Sequence, residues 1–238
     1  MANKKKKKNS NYVTEKTIAK HKEAELAAKK RARAKRIKAW TYVGIVALVI
    51  AATVIGILAA AGVFSKRTPT HHATIEIENY GTIHLELYGN AAPKTVENFV
   101  KLANEGFYDG LTFHRIMEDF MAQGGDPNGD GTGGSGTKIE GEFKINGFRN
   151  PIKHKRGTIS MARGDDYDSA SSQFFIVHKT SENNSLSLDG NYAAFGMVTE
   201  GMEIIDKMIE EAETIGNNGT VLAGTEPKIK SITVHEVH

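Results

Sequence analysis

The sequence contains no cysteine among its 238 residues. Neither a disulfide framework nor a lipid-modified cysteine is therefore possible, and an exported domain of this chain must be held together by its core alone. The chain also has no visible internal repeat, no Gly-Lys-Ser/Thr phosphate loop and no Gly-x-Ser-x-Gly nucleophile elbow. These absences argue against nucleotide binding and against a serine hydrolase, although Ser160, His178 and Asp189 supply the residue types of a hydrolytic triad.

Metal-binding patterns are absent as well. The histidine pairs near the ends of the globular region, His71 with His72 and His235 with His238, lack the helical i, i+4 spacing that directs two imidazoles at one zinc ion. The stretch "DPNGDGTGG", residues 126–134, begins like a calcium loop, but Thr137 occupies the twelfth position, where such a loop requires glutamate. We therefore expect a plain loop, no metal and no cofactor.

Charge is divided unevenly along the chain. Residues 1–39 carry 15 basic and three acidic side chains, a net charge of +12, whereas the remaining residues carry 16 basic and 25 acidic side chains, a net charge of −9. An acidic body argues against nucleic-acid binding. The basic segment predicts a cytoplasmic tail that contacts anionic lipid.

Residues 40–64 form an uncharged apolar run. As a helix, 25 residues extend about 37 Å, which exceeds the hydrocarbon core of a bilayer. Because the basic residues crowd its N-terminal side, we predict a single membrane span with the tail in the cytoplasm and residues 73–238 outside the cell. A cleaved signal peptide is the alternative, since Ala59 and Ala61 form a small-x-small pattern, but the run and its basic flank are longer than usual for such peptides. Small residues at every fourth position allow a weak homodimer of this anchor: Ala52, Gly56 and Ala60.

Beyond a polar linker at residues 65–72, the pattern alternates between strands and helices. Alternating apolar residues on both sides of Asn79 to Gly81 predict a β-hairpin. Amphipathic helices are predicted where "APKTVENFVKLANEG" and "GMEIIDKMIEEAE" occur. Further strands are expected at 111–117, 120–124, 157–162, 173–178 and 193–198, with a last strand in "KIKSITVHEV". Many antiparallel strands with two helices predict a mainly β fold, a β-barrel whose ends the helices cover.

One arginine interrupts an apolar run. Arg115 lies within "FHRIMEDFMAQGGD", residues 113–126. A guanidinium cannot shed its charge, so its burial is costly unless it is paired or lines a wet cavity. Arg115 is therefore either a site residue or a structural arginine paired with Glu118 or Asp119.

Four motifs in this order, "FHRIMEDFMAQGGD", "GTISMARG", "SSQFFI" and "LDGNYAAFGMV", resemble the cyclophilin-type peptidyl-prolyl cis/trans isomerases. The resemblance covers residues 73–238. It implies a closed eight-stranded antiparallel β-barrel capped by two α-helices.

The resemblance also implies the site. It identifies Arg115 and Gln123 as catalytic residues. The implied substrate-binding residues are Phe120, Met121, Ala162, Arg163, Gln173, Phe175, Leu188 and Tyr192. Three positions depart from the better-known pattern: Ser187 replaces a tryptophan, Tyr192 a histidine and Arg163 an asparagine. The first two lie at the rim that binds substrate and the family's cyclic-peptide inhibitor.

The expected chemistry follows from the peptide bond. Rotation about an X-Pro bond has a barrier of roughly 18–20 kcal/mol because twisting destroys amide resonance. As resonance is lost, the prolyl nitrogen gains lone-pair character, which a fixed cation beside it stabilises. We expect an isomerase that assists the folding of exported, proline-containing polypeptides. The alternative is a binding module or holdase that captures proline segments.

Overall fold

The computed structural model describes residues 2–60, 68–181 and 187–237. It divides into two units, Met1–Lys66 and Arg67–His238. The first contains helix α1, Ala2–Ala60, in which Lys22–Val54 is long and apolar enough to cross a membrane. An N-terminal signal sequence has the same character. The predicted span 40–64 overlaps this helix, and its last four residues lie outside the described residues.

The second unit begins with the predicted hairpin. Strands β1, His71–Ile77, and β2, Gly81–Leu87, pair antiparallel, with Ile75 opposite Ile83. Buried apolar residues alternate with less buried polar residues along both strands, as the sequence pattern requires. Strand β1 begins at His71, inside the stretch assigned to the linker, because His71 pairs with both Leu87 and Glu236.

The remaining elements follow in chain order. The helices are α2, Pro93–Asn104, and α3, Met202–Glu211, both at predicted positions, and residues 187–188 are helical as well. The strands are β3, Arg115–Met117; β4, Met121–Gly124; β5, Thr158–Met161; β6, Phe174–Val177; β7, Ala194–Glu200; β8, Thr214–Ile215; β9, Thr220–Val221; and β10, Ile229–Glu236. A 3₁₀ turn spans Lys144–Asn146.

These strands form one sheet of ten strands in the order β10-β1-β2-β7-β5-β6-β4-β3-β9-β8. The prediction of a closed eight-stranded barrel is therefore wrong in both strand number and closure. The segments that precede β3 and β10 approach each other, but Thr112 and Lys228 make an isolated bridge there rather than a ladder. Pro227 explains part of the gap: its carbonyl accepts a hydrogen bond from the Phe113 amide at 2.9 Å, but a proline has no N–H to continue the pairing.

Strands β4 and β6 separate two apolar clusters. Ala122, Phe174 and Ile176 belong to the main core, in which the Phe174 ring contacts the Phe99 and Tyr108 rings edge-on. Successive side chains of a strand point to opposite faces. The alternate residues of the same strands therefore form a second cluster on the other face: Met121, Phe175, Val177 and, from the segment after β6, Leu188.

Candidate active site

A pocket of about 420 Å³ opens above the second apolar cluster. Nine of the ten predicted site residues line it: Arg115, Phe120, Met121, Gln123, Ala162, Arg163, Phe175, Leu188 and Tyr192. The tenth, Gln173, lies behind Gln123, with which it makes a hydrogen bond. The structure therefore brings together residues that are as many as 77 positions apart in the chain.

Strand register sets the order of side chains across the pocket. Arg115 on β3 lies opposite Gln123 on β4, and Gln123 lies opposite Phe175 on β6. In the next row, Met121 pairs with Met117 on one side and with Val177 on the other. Because directly opposed residues share a face of the sheet, the guanidinium, the amide and the phenyl ring form one row beside an apolar row.

Arg115 is held by neutral acceptors. Its Nε donates to the carbonyl of Asn218 at 2.8 Å, and its Nη1 donates to Gln123 Oε1 at 3.1 Å. Its Nη2 lies 2.9 Å from the sulfur of Met117. These three contacts fix the plane of the guanidinium without neutralising its charge.

A chain of amides continues from Arg115 into the neighbouring loop. Gln123 Nε2 donates to Gln173 Oε1 at 2.8 Å. Gln173 Nε2 in turn donates to the carbonyls of Gly131 and Gly133, at 3.0 and 2.8 Å. This chain fixes the orientation of the Gln123 amide, so that its oxygen faces the arginine.

One structural role for Arg115 would pair it with Glu118 or Asp119. Among the described residues, Arg115 forms no ion pair, and Asp119 instead pairs with Lys179 at 2.7 Å. Burial lowers the pKa of the half-buried Arg115 guanidinium, but an arginine remains charged in proteins under ordinary conditions. The pocket therefore contains a cation without a carboxylate partner.

The apolar floor is built around Phe175. Its ring contacts the Tyr192 ring edge-on, with centroids 5.8 Å apart, and stacks on the His154 ring at 6.1 Å. Met121 and Leu188 are buried beside it. Together these side chains form an apolar wall of the pocket.

A family model described as "Cyclophilin type peptidyl-prolyl cis-trans isomerase/CLD" matches residues 72–236, well over half of the chain. The chain belongs to this family. Peptidyl-prolyl cis-trans isomerase B of Bacillus subtilis is 48% identical over 132 residues, which cover 56% of this chain and 86% of the relative. A peptidyl-prolyl cis-trans isomerase of Helicobacter pylori is 48% identical over 141 residues, covering 58% of this chain and 80% of the relative.

Solved structures agree with this assignment. A Cryptosporidium parvum cyclophilin-type isomerase, crystallised in the presence of the dipeptide Ala-Pro, matches with a TM-score of 0.59 and 30% identity. The match covers 70% of this chain and 99% of that chain. The chain is thus a peptidyl-prolyl cis-trans isomerase.

At the rim of this cyclophilin pocket, Arg163 has surroundings that its sequence position did not reveal. Its guanidinium carbon lies 4.8–5.2 Å from the ring centroids of Tyr192, Tyr167 and Phe143. Its Nε also donates to the Asn191 carbonyl at 3.0 Å. Phe143 and Tyr167 belong to none of the four motifs, so only tertiary structure identifies them as partners.

A buried serine–histidine–aspartate chain supports the pocket from behind. His154 Nε2 lies 2.9 Å from Ser160 Oγ, and Nδ1 lies 3.0 Å from Asp189 Oδ1. His154 thus occupies the place that a triad would give to His178, whose ring instead lies 3.1 Å from Asp206. Ser160 is fully buried, so its hydroxyl is not exposed to the pocket.

In the loop that resembled a calcium site, the first aspartate binds the backbone of its own loop. Asp126 is buried and accepts the backbone N–H groups of Asn128, Asp130 and Gly131 at 2.9, 3.2 and 2.5 Å. In the part of the chain that the structure describes, no group of three acidic or histidine side chains is placed to hold a metal ion. The loop contributes Gly129, Asp130 and Gly131 to a polar end of the pocket, which His114, Asn218 and Thr220 also line.

Proposed function

We propose that Arg115 is the catalytic residue of this isomerase and that the slot over Phe175 binds the substrate's proline ring. The observation that carries the proposal is the guanidinium of Arg115, whose hydrogen-bond partners among the described residues are all neutral. An arginine that served the fold would be expected to neutralise a buried carboxylate. The positive charge of Arg115 is therefore available to a ligand that enters the pocket.

The mechanism requires no covalent step and no cofactor. Twisting the X-Pro bond moves electron density back onto the prolyl nitrogen. A fixed cation beside that nitrogen stabilises the twisted state more than the planar one, which is the condition for catalysis. Gln123 holds Arg115 in place, and Gln173 holds Gln123, so the charge needs no reorganisation during the reaction.

The other site residues bind substrate. Met121, Phe175 and Leu188 hold the ring and exclude water, and Phe120 extends the apolar wall. At the rim, Ala162 and Arg163 bind the substrate backbone and Tyr192 closes the slot. A proline-containing ligand is supported by the Cryptosporidium relative, which was crystallised in the presence of Ala-Pro. A holdase would need only the apolar slot, so the row from Arg115 to Gln173 favours the enzyme.

We further propose that the enzyme acts on newly exported polypeptides at the outer face of the membrane. The division is a cytoplasmic tail at 1–39, a span at 40–64, a linker at 65–72 and an isomerase domain at 73–238. Lipids contact the span and the basic tail, and the span forms a weak homodimer. The support is the run of basic residues that precedes the apolar segment of α1.

The catalytic proposal is tested with Arg115 variants of the full chain in mild detergent. We expect Arg115→Ala to lower kcat/KM for a proline peptide about tenfold to a hundredfold, roughly 1.4–2.7 kcal/mol of transition-state stabilisation. Arg115→Lys, which keeps the charge but loses the planar fork, separates simple charge from oriented hydrogen bonding. Arg156→Ala is the matched control, because Arg156 pairs with Asp206 away from the pocket. An Arg115→Ala protein that melts early but isomerises normally would show that this arginine serves the fold.

A further inference from the structure

The pocket continues past Arg115 to a polar end that the proline slot does not use. His114 lines this end and is only 4% exposed. Neither of its ring nitrogens makes a hydrogen bond within the described residues. The Thr112 carbonyl is near enough to favour a proton on the ring but completes no bond with it. A buried polar group without a partner is costly, which suggests a partner supplied by a ligand.

The charge state of His114 follows from its surroundings. Burial lowers the pKa of His114, and the nearby Arg115 lowers it further, while Asp126 and Asp130 act in the opposite direction. Because the net pKa shift is downward, the ring is neutral at pH 7 and keeps one nitrogen as a hydrogen-bond acceptor.

Acceptors also dominate the rest of this end. Asp130 receives the Thr132 N–H and hydroxyl on Oδ1, at 2.9 and 2.6 Å, and neither bond engages Oδ2. These bonds lower the pKa of Asp130, so it is ionised at neutral pH. On the facing segment, the Thr220 hydroxyl donates a hydrogen bond to Asn218 Oδ1 at 3.0 Å. The surface therefore presents a carboxylate oxygen, an imidazole nitrogen and a hydroxyl oxygen.

The loop is built to keep this space open. Residues on both sides of Asp130 are glycines, and a Cβ atom added at Gly131 would lie 3.9 Å from His114 Nε2. The three hydrogen bonds to buried Asp126 fix the loop backbone. Asp130 thus lies on a hydrogen-bonded turn next to His114.

We propose that this polar end is a substrate subsite that binds the lysine or arginine side chain of a residue near the proline. The proposal rests on the proposed function of the pocket. A cationic side chain supplies the donors that these acceptors lack, and the carboxylate of Asp130 supplies the opposite charge. Because Arg115 repels a second cation in the same pocket, recognition depends on Asp130.

The test measures isomerisation of peptide series by the full chain in mild detergent. Lysine, arginine, alanine or glutamate is placed, one position at a time, at the three residues on each side of the proline. Exchange NMR measures the isomerisation rates directly, so the sequence preference of a protease in a coupled assay does not affect the result. At one of these positions we expect lysine and arginine to exceed alanine in kcat/KM by about threefold to tenfold, and glutamate to fall below alanine.

Variants locate the preference. Asp130→Asn should bring the lysine-to-alanine ratio to within about twofold of one, and His114→Phe should lower it as well. Asp119→Asn is the matched control: it removes the same charge from an exposed position outside the pocket, and it should preserve the ratio.

Three results would overturn the subsite. A flat profile at all positions, with the alanine peptides still isomerised, would refute it while leaving the proposed function intact. An equal loss of preference in Asp119→Asn would assign the effect to general charge. No isomerisation of any peptide would refute the proposed function and the subsite with it.

Discussion

Removing the carboxylate of Asp189 should loosen the pocket wall from behind. Asp189 Oδ1 accepts both the backbone N–H of His154, at 2.8 Å, and its ring Nδ1, at 3.0 Å. Asp189→Ala removes the acceptor of two largely buried hydrogen bonds, each worth about 1–3 kcal/mol, so we expect a loss of about 2–6 kcal/mol in the free energy of unfolding. The ion pair with exposed Lys153 adds little. Asp189→Asn keeps an oxygen at the accepting position and should lose only about 1 kcal/mol.

The hydrogen bonds between Asp189 and His154 should also affect substrate binding, because both residues lie next to the pocket wall. Asp189 follows Leu188 in the pocket wall, and His154 stacks on Phe175. We therefore expect Asp189→Ala to raise KM for proline peptides more than it lowers kcat, with Asp189→Asn between it and the unchanged chain. Urea unfolding should be followed by the near-ultraviolet circular dichroism of the tyrosines, because the single tryptophan, Trp40, lies in α1. Equal stability of the alanine and asparagine variants, or an unchanged KM in Asp189→Ala, would refute this reasoning.

Two further predictions concern pH and topology. Burial lowers the folded-state pKa of both His114 and His154 below the ordinary 6.5. Because the unfolded chain therefore binds more protons, the free energy of unfolding should fall as the pH drops below about 6.5. Urea titrations at several pH values test this, and a free energy of unfolding that does not change from pH 7.5 to 5.5 would contradict it. Protease added to intact cells should degrade residues 73–238 and spare residues 1–39; a protected domain, or a mature form that begins near Gly62, would contradict the uncleaved anchor.

Local periodicity was sufficient for much of the fold. The hairpin around Asn79 and the helices α2 and α3 lie where the alternation and amphipathic spacing predicted them, because those signals depend on neighbours in the chain. Closure of the sheet is different. It depends on whether residues 110–113 and 227–229 meet as a ladder, and a single proline at 227 acts against that across more than one hundred residues.

In the pocket, too, some features could be predicted from local sequence and others depend on contacts between distant segments. Nine of the residues that the motifs selected line one pocket, but contacts with partners distant in the chain could not be predicted from the motifs. His154 rather than His178 joins Ser160 to Asp189, since 35 residues separate His154 from Asp189. The aromatic surroundings of Arg163 and the unpaired ring of His114 likewise arise from chain segments that no spacing rule connects.

The division of β4 and β6 between two apolar clusters constrains how this enzyme can be altered. Met121 and Gln123 face the pocket, whereas Ala122 faces the main core. Adding or deleting one residue in β4 would exchange these sets and place the Gln123 amide in the core. Substitutions at Met121 alter the second apolar cluster and not the main core. Directed evolution of this pocket toward new peptides should therefore substitute side chains and keep the length of β4 unchanged.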